Sequence, residues 1–163
     1  MDSFLVLKFG GSSFNVDGYN TIAEQIRRNI GNIIIVVSAI GNTTDLLYKI
    51  INQENDTYDD IFTLHHNLCV DLNISFERVE EVLLSLYTDI QSYTPIDINT
   101  LHFSRQKYTS LNITQHKIKI IRYGEILSSI ILQEYLSNEF NARLITASDF
   151  IISNNSYKNI DPI

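Results

Sequence analysis

"FLVLKFGGSSF", residues 4–14, decides the fold. Phe4–Phe9 is an apolar run broken only by Lys8, and Gly10-Gly11 bounds it, which predicts a buried strand ending in a glycine turn. Tyr19, Ile22, Ala23, Ile26 and Ile30 recur at helical spacing and predict a helix from roughly Asp17 to Asn29. Gly31-Asn32 signals a turn. "IIIVVS", Ile33–Ser38, has no polar alternation and reads as a strand covered on both faces. After "AIGNTT" a helix is expected from about Thr44 to Gln53. Strand, helix, strand, turn and helix in that order predict a parallel α/β sheet.

The rest of the chain is mostly helical. Ile61, Leu64, Leu68 and Leu72 predict a helix over 57–72. Ser75 is placed to cap a helix carrying Val79, Leu83, Leu86 and Ile90, and Pro95 blocks its continuation. Residues 97–121 read as short helices and loops, 123–138 as a strong helix, 141–146 ("NARLIT") as a strand, and "ISNNSYKNIDPI" as a polar loop-like tail. No internal repeat or linker interrupts the 163 residues, which suit one domain.

Composition narrows the function. The chain is 44% hydrophobic and 19% charged, an ordinary soluble balance. A net charge of −7 argues against nucleic acid or an anionic membrane as partner. The tyrosines form no stacking stripe with basic neighbours. One cysteine, Cys69, allows no internal disulfide and fits a reducing compartment. No signal peptide is read at the N-terminus, and no apolar run approaches the ~20 residues that cross a bilayer. A cytoplasmic protein is therefore expected, and the Asn-x-Ser/Thr sequons at Asn42 and Asn112 are incidental.

Two strands each end in a small hydroxylated turn, Lys8–Ser13 and Ser38–Thr44. In open α/β sheets, ligands lie outside the carboxyl ends of strands. Glycines let backbone N–H groups approach an anion, and an ammonium at Lys8 could neutralise a transferring phosphoryl group. A tight turn with a snorkelling lysine satisfies a lone "KFGG" equally well. His65, His66 and Cys69 fall short of the three or four well-spaced ligands of a zinc site, so no metal site is expected, and Cys69 reads as a small core residue. Glu77, Glu80 and Glu81 read as a solvated helix face.

"VLKFGGSSF" (6–14) resembles the opening signature of the aspartate kinases, Lys-Phe-Gly-Gly-Thr-Ser after a strand. "VVSAIGNTTDLL" (36–47) is similar to that family's second segment, and "RYGEILSSIILQEYL" (122–136) to its Gly-Glu-x-x-Ser segment. "ARLITASDFI" (142–151) and "NNSYKNIDPI" (154–163) follow in the family's order. The resemblance implies a three-layer α/β/α sandwich of the amino-acid-kinase, carbamate-kinase-like type. It implies that residues 1–163 form the N-terminal, amino-acid-substrate part of one kinase domain, with no regulatory domain.

The activity so implied is transfer of the ATP γ-phosphoryl group to the β-carboxylate of L-aspartate, the first step toward the aspartate-derived amino acids. ATP and L-aspartate are then the ligands, with Mg²⁺ arriving through the nucleotide. By the same resemblance, Lys8 is catalytic and stabilises the phosphoryl group. Gly10, Gly11 and Ser12 line the phosphates, with Ser12 standing where threonine is usual. Ser38, Thr44 and Glu125 hold aspartate, the Glu125 carboxylate pairing with the substrate ammonium.

Local chemistry also offers plainer roles. Glu125 suits a first-turn acid, and Thr44 an N-cap. Ser128 and Ser129 suit close packing, and Asp149 a structural position. A Gly-Arg-Gly-Gly-Ser-Asp segment, most of the adenine and ribose site and an arginine for the α-carboxylate have no counterpart in 1–163. The alternative expectation is therefore a truncated, non-catalytic module that binds a small ligand or a partner. Unpaired sheet edges predict association, with a second copy or a complementary chain.

Overall fold

The computed structural model describes residues 4–29, 31–52, 54, 57–92, 115–146, 151–153 and 160–162. Strand β1 (Phe4–Phe9) pairs in parallel with β2 (Asn32–Val37), Phe4 opposite Asn32 and Phe9 opposite Val37. The connection is helix α1 (Val16–Arg28), so the opening is a β1–α1–β2 unit, as the sequence predicts. The Asn15 side chain accepts the Gly18 amide at 2.9 Å and caps α1, while Arg27 and Arg28 complement the dipole at its other end.

Helix α2 (Thr43–Ile51) follows β2, then α3 (Tyr58–Asp71) and α4 (Glu77–Ser92). Ser75 Oγ accepts the Glu77 amide at 3.3 Å, the capping role expected of it. Residues 115–121 form α5, and α6 (Tyr123–Ser137) begins after the single intervening residue Arg122. Helix α6 touches α1, α2, α4 and β2, and it is apolar nearly all round because it runs through the middle of the helical layer. Leu47, Ile61, Leu83, Leu86, Leu127 and Ile131 are fully buried there. Surface ion pairs, Arg27 with Glu139 and Arg78 with Glu134, tie α1 and α4 to the end of this helix.

Three expectations need correction. Among the described residues the strands are covered on one face only: Phe9, Ile35 and Val37 pack on the core, whereas Phe4, Val6, Ile34 and Val36 are 57%, 59%, 46% and 45% exposed. The described helices lie against one side of the sheet, although the sequence has the apolar character of a strand buried on both. Residues 141–146 form no strand. Ala142 and Leu144 pack inward while Arg143 and Ile145 face out, but no described strand pairs with them. In the tail, Ile151–Ser153 (β3) and Ile160–Pro162 (β4) pair antiparallel instead of remaining irregular. Pro95, Asp149 and the 97–114 part of the stretch read as short helices and loops lie outside the described residues.

Candidate functional site

Because β1 and β2 are parallel and in register, their carboxyl ends share one edge of the sheet. Lys8 is the penultimate residue of β1 and is exposed. Gly10 follows the strand, and its nearest outside atom is Lys8 Nζ, 3.8 Å from where a Cβ would stand. The ammonium therefore hangs over the turn. Gly11–Ser13 is a single 3-10 turn, closed by Ser13 N donating to Gly10 O at 2.9 Å, and Ser12 is exposed on it. Ser38 is half-buried at the end of β2.

The two turns touch. Gly41 N donates to Gly11 O at 3.2 Å. A Cβ on Gly11 would stand 2.2 Å from the Ala39 carbonyl oxygen, so only glycine fits. The third motif arrives at the same residue. A Cβ on Gly124 would stand 2.7 Å from Ala39 Cβ and 3.6 Å from Thr43 Cγ2. Glu125, one residue on, is exposed in the first turn of α6. Ala39 is thus the point where all three sequence motifs meet. The arrangement offers an ammonium above a glycine turn, hydroxyls from two turns, and a carboxylate from a third element. The ammonium, hydroxyls and glycine amides can donate to a phosphate, and the carboxylate can accept from an amino group.

Thr44 differs from its expected capping role. Helix α2 starts at Thr43 without a side-chain cap, so Thr44 is its second residue and half-buried. Its neighbour Thr43 does the local work: it is fully buried and its hydroxyl donates to Ile40 O at 2.6 Å, closing the turn. Two adjacent threonines at a helix start gave no sign of which one turns inward.

The junction of α5 and α6 holds a group that motif reading missed. Asp89, on α4, accepts from Tyr123 Oη and from Lys119 Nζ, both at 2.6 Å. Partial burial pushes its carboxyl up, but the Lys119 ammonium and the Tyr123 hydroxyl outweigh this and hold it below its ordinary value. Burial first, and then the Asp89 bond, push the Tyr123 hydroxyl up to about 12, so it stays a donor. One signal was available: an acid in the last turn of a helix opposes the dipole and calls for a partner.

The His65–Cys69 pair belongs to the core. His65 Nδ1 lies 2.7 Å from Ile61 O, so it carries the proton it donates, while His66 is exposed and stacks on Phe62. Ser128 is fully buried and Ser129 donates to Ile126 O, consistent with packing. Glu77, Glu80 and Glu81 are exposed. Among the described residues no helix is long and apolar enough to cross a membrane.

Comparison with known proteins bears on this geometry. The model of the amino acid kinase family matches residues 3–161. No curated protein matches the chain. Among solved structures, E. coli aspartokinase III in complex with aspartate and ADP (R-state) superposes with a TM-score of 0.74 at 17% identity, over 99% of this chain and 35% of that one. The same enzyme in complex with lysine and aspartate (T-state) gives 0.74 at 16% identity, over 98% and 35%. The chain spans about a third of the length of the structures it matches, and the likeness extends over nearly all the α/β framework built above. From its fold and from the family match over almost its whole length, the chain belongs to the amino acid kinase family.

Proposed function

We propose that residues 1–163 form the amino-acid-substrate part of a kinase domain whose acceptor is the β-carboxylate of L-aspartate and whose donor is ATP. The observation that carries this reading is the meeting of three motif segments at Ala39, where Gly41 bonds Gly11 and Gly124 packs on the Ala39 side chain. Lys8 would neutralise charge on the phosphoryl group as it moves from nucleotide to carboxylate. Gly10, Gly11 and Ser12 would line the phosphates. Ser38 and Thr44 would meet the carboxylates of aspartate, and Glu125 its ammonium. Magnesium would enter on the nucleotide phosphates. Both ligands named in the aspartokinase III structure with aspartate and ADP suit this division of labour. A cytoplasmic setting and a place at the head of the aspartate-derived amino acid pathway belong to the same reading.

The test is a hydroxylamine trap for aspartyl phosphate, with Glu125→Gln as the diagnostic variant. The reading expects Glu125→Gln to weaken aspartate binding about tenfold or more, since a charge-assisted bond to the ammonium is lost. The variant should leave Mg-ATP binding nearly unchanged. Equal loss of both would assign Glu125 a structural role.

A second reading, a non-catalytic partner-binding module, has its own support in the exposed apolar face of Phe4, Val6, Ile34 and Val36. A parallel sheet is normally covered on both faces, so a second copy or a complementary chain would seat there. A monodisperse monomer at micromolar concentration by light scattering would count against it.

A further inference from the structure

Helix α6 starts without a cap of its own. Its N-cap position, Arg122, is in the helical region of backbone space and no side chain closes the first turn. The chain instead runs in from α5, with Arg122 N donating to Ile118 O at 3.1 Å and Ile126 N to Arg122 O at 3.1 Å. These main-chain bonds run along the chain and do not tie the junction to a neighbouring element. Yet it is the point that must hold Gly124 against Ala39 and so fix where Glu125 begins.

Asp89 supplies what is missing. One carboxylate oxygen takes the Lys119 ammonium, on the α5 side of the junction, and the other takes the Tyr123 hydroxyl, on the α6 side. The side chain of Asp89 is 15% exposed and Tyr123 is 9% exposed, so their bond is sheltered from competing water, whereas Lys119 is 55% exposed and meets Asp89 at the surface. The carboxylate comes from α4, the helix that packs most extensively on α6, which anchors the junction to the core through Leu83 and Leu86.

We infer that Asp89 is a positioning residue of the candidate site: by bridging Lys119 and Tyr123 across the α5–α6 junction it sets the first turn of α6, and with it Glu125, for the ammonium group of an amino-acid substrate. The substrate half of this inference rests on the aspartate reading above. The junction half stands on the hydrogen bonds alone.

The experiment uses the whole chain with Asp89→Ala, Asp89→Asn and Tyr123→Phe. Amide hydrogen exchange is followed at 123–126, with α3 as the internal reference, and L-aspartate and Mg-ATP are titrated separately. Asp89→Ala should speed exchange at 123–126 about tenfold, leave α3 unchanged, and raise the Kd for aspartate about tenfold with Mg-ATP within about twofold. Tyr123→Phe should follow it. Asp89→Asn keeps an acceptor for the tyrosine hydroxyl but turns an N–H donor toward the Lys119 ammonium, so it should recover only part of both effects. Unchanged exchange at 123–126 in Asp89→Ala, or a rise spread evenly over α3 and α6, would overturn the inference. So would faster local exchange with unaltered aspartate affinity, which would leave Asp89 merely structural. Failure of the unsubstituted chain to take aspartate would defeat the aspartate reading and the substrate half with it, while exchange would still decide the junction.

Discussion

Gly124→Ala is the sharpest probe of the meeting point at Ala39. The added methyl would stand 2.7 Å from Ala39 Cβ, against an ordinary contact of 3.4 Å or more, so α6 or the turn after β2 must yield by about 0.7 Å. Neither atom sits at the end of a flexible side chain, so the movement falls on backbone. Overpacking of this kind costs about 1–3 kcal/mol, and the better helix propensity of alanine returns about 0.5–1. The net expectation is a loss of about 1–2 kcal/mol, or roughly 2–8 °C in melting temperature for a chain of this size. The same displacement moves Glu125, and misplacement on this scale can cost far more in function than in stability. Urea denaturation of Gly124→Ala, Ala39→Gly and the double variant closes a double-mutant cycle. Removing the Ala39 methyl should recover most of the loss caused by Gly124→Ala. A Gly124→Ala chain as stable as the original, or more so, would refute the close approach and leave helix propensity as the only effect.

Gly11→Ala should be harsher, because the new methyl meets the Ala39 carbonyl oxygen at 2.2 Å and both partners are backbone; a loss of about 3 kcal/mol or more is expected in the same denaturation assay. Lys8→Ala should abolish phosphoryl transfer in the hydroxylamine trap while shifting the denaturation midpoint little, since Lys8 is exposed; unaltered turnover would remove Lys8 from the mechanism. Stability should fall as pH drops below about 6.5, by up to about 1.4 kcal/mol per pH unit. The sign follows from His65: burial lowers its pKa in the folded state, against a weaker raising effect of the Ile61 carbonyl, so between the two pKa values only the unfolded chain binds the proton. His65→Gln should flatten that part of the profile, and an unchanged slope would place the proton uptake elsewhere.

Much of this arrangement was legible in the residues, for definite reasons. An apolar run closed by Gly10-Gly11 can hardly be other than a strand and a turn, and Tyr19, Ile22 and Ala23 bury as their spacing requires. The burial of β1 and β2 differs from the expectation because composition records how apolar a strand is, not which of its faces the described helices reach. At 141–146 the inward and outward alternation is real, with Ala142 and Leu144 inside, but alternation makes a strand only when a neighbour completes the hydrogen-bond ladder. The pairing of β3 with β4 rests on three residues each, too few to carry a readable period. In the site, Gly11 and Gly124 showed themselves as glycines beside motif residues. Ala39 did not, because a small apolar residue between a serine and a β-branched one has no local oddity. Asp89 acts across thirty-four residues of sequence from Tyr123, a distance at which only the dipole-opposing position on α4 gave a hint.

The turns meeting at Ala39 are proposed as a site for an amino acid beside a phosphate. Calorimetric titration of the purified chain with L-aspartate, alongside Mg-ATP, tests it most directly. Saturable aspartate binding is expected, weakened about tenfold or more by Glu125→Gln and left nearly intact by Lys8→Ala. No heat of binding with aspartate at millimolar concentration, in a chain shown to be folded, would contradict it.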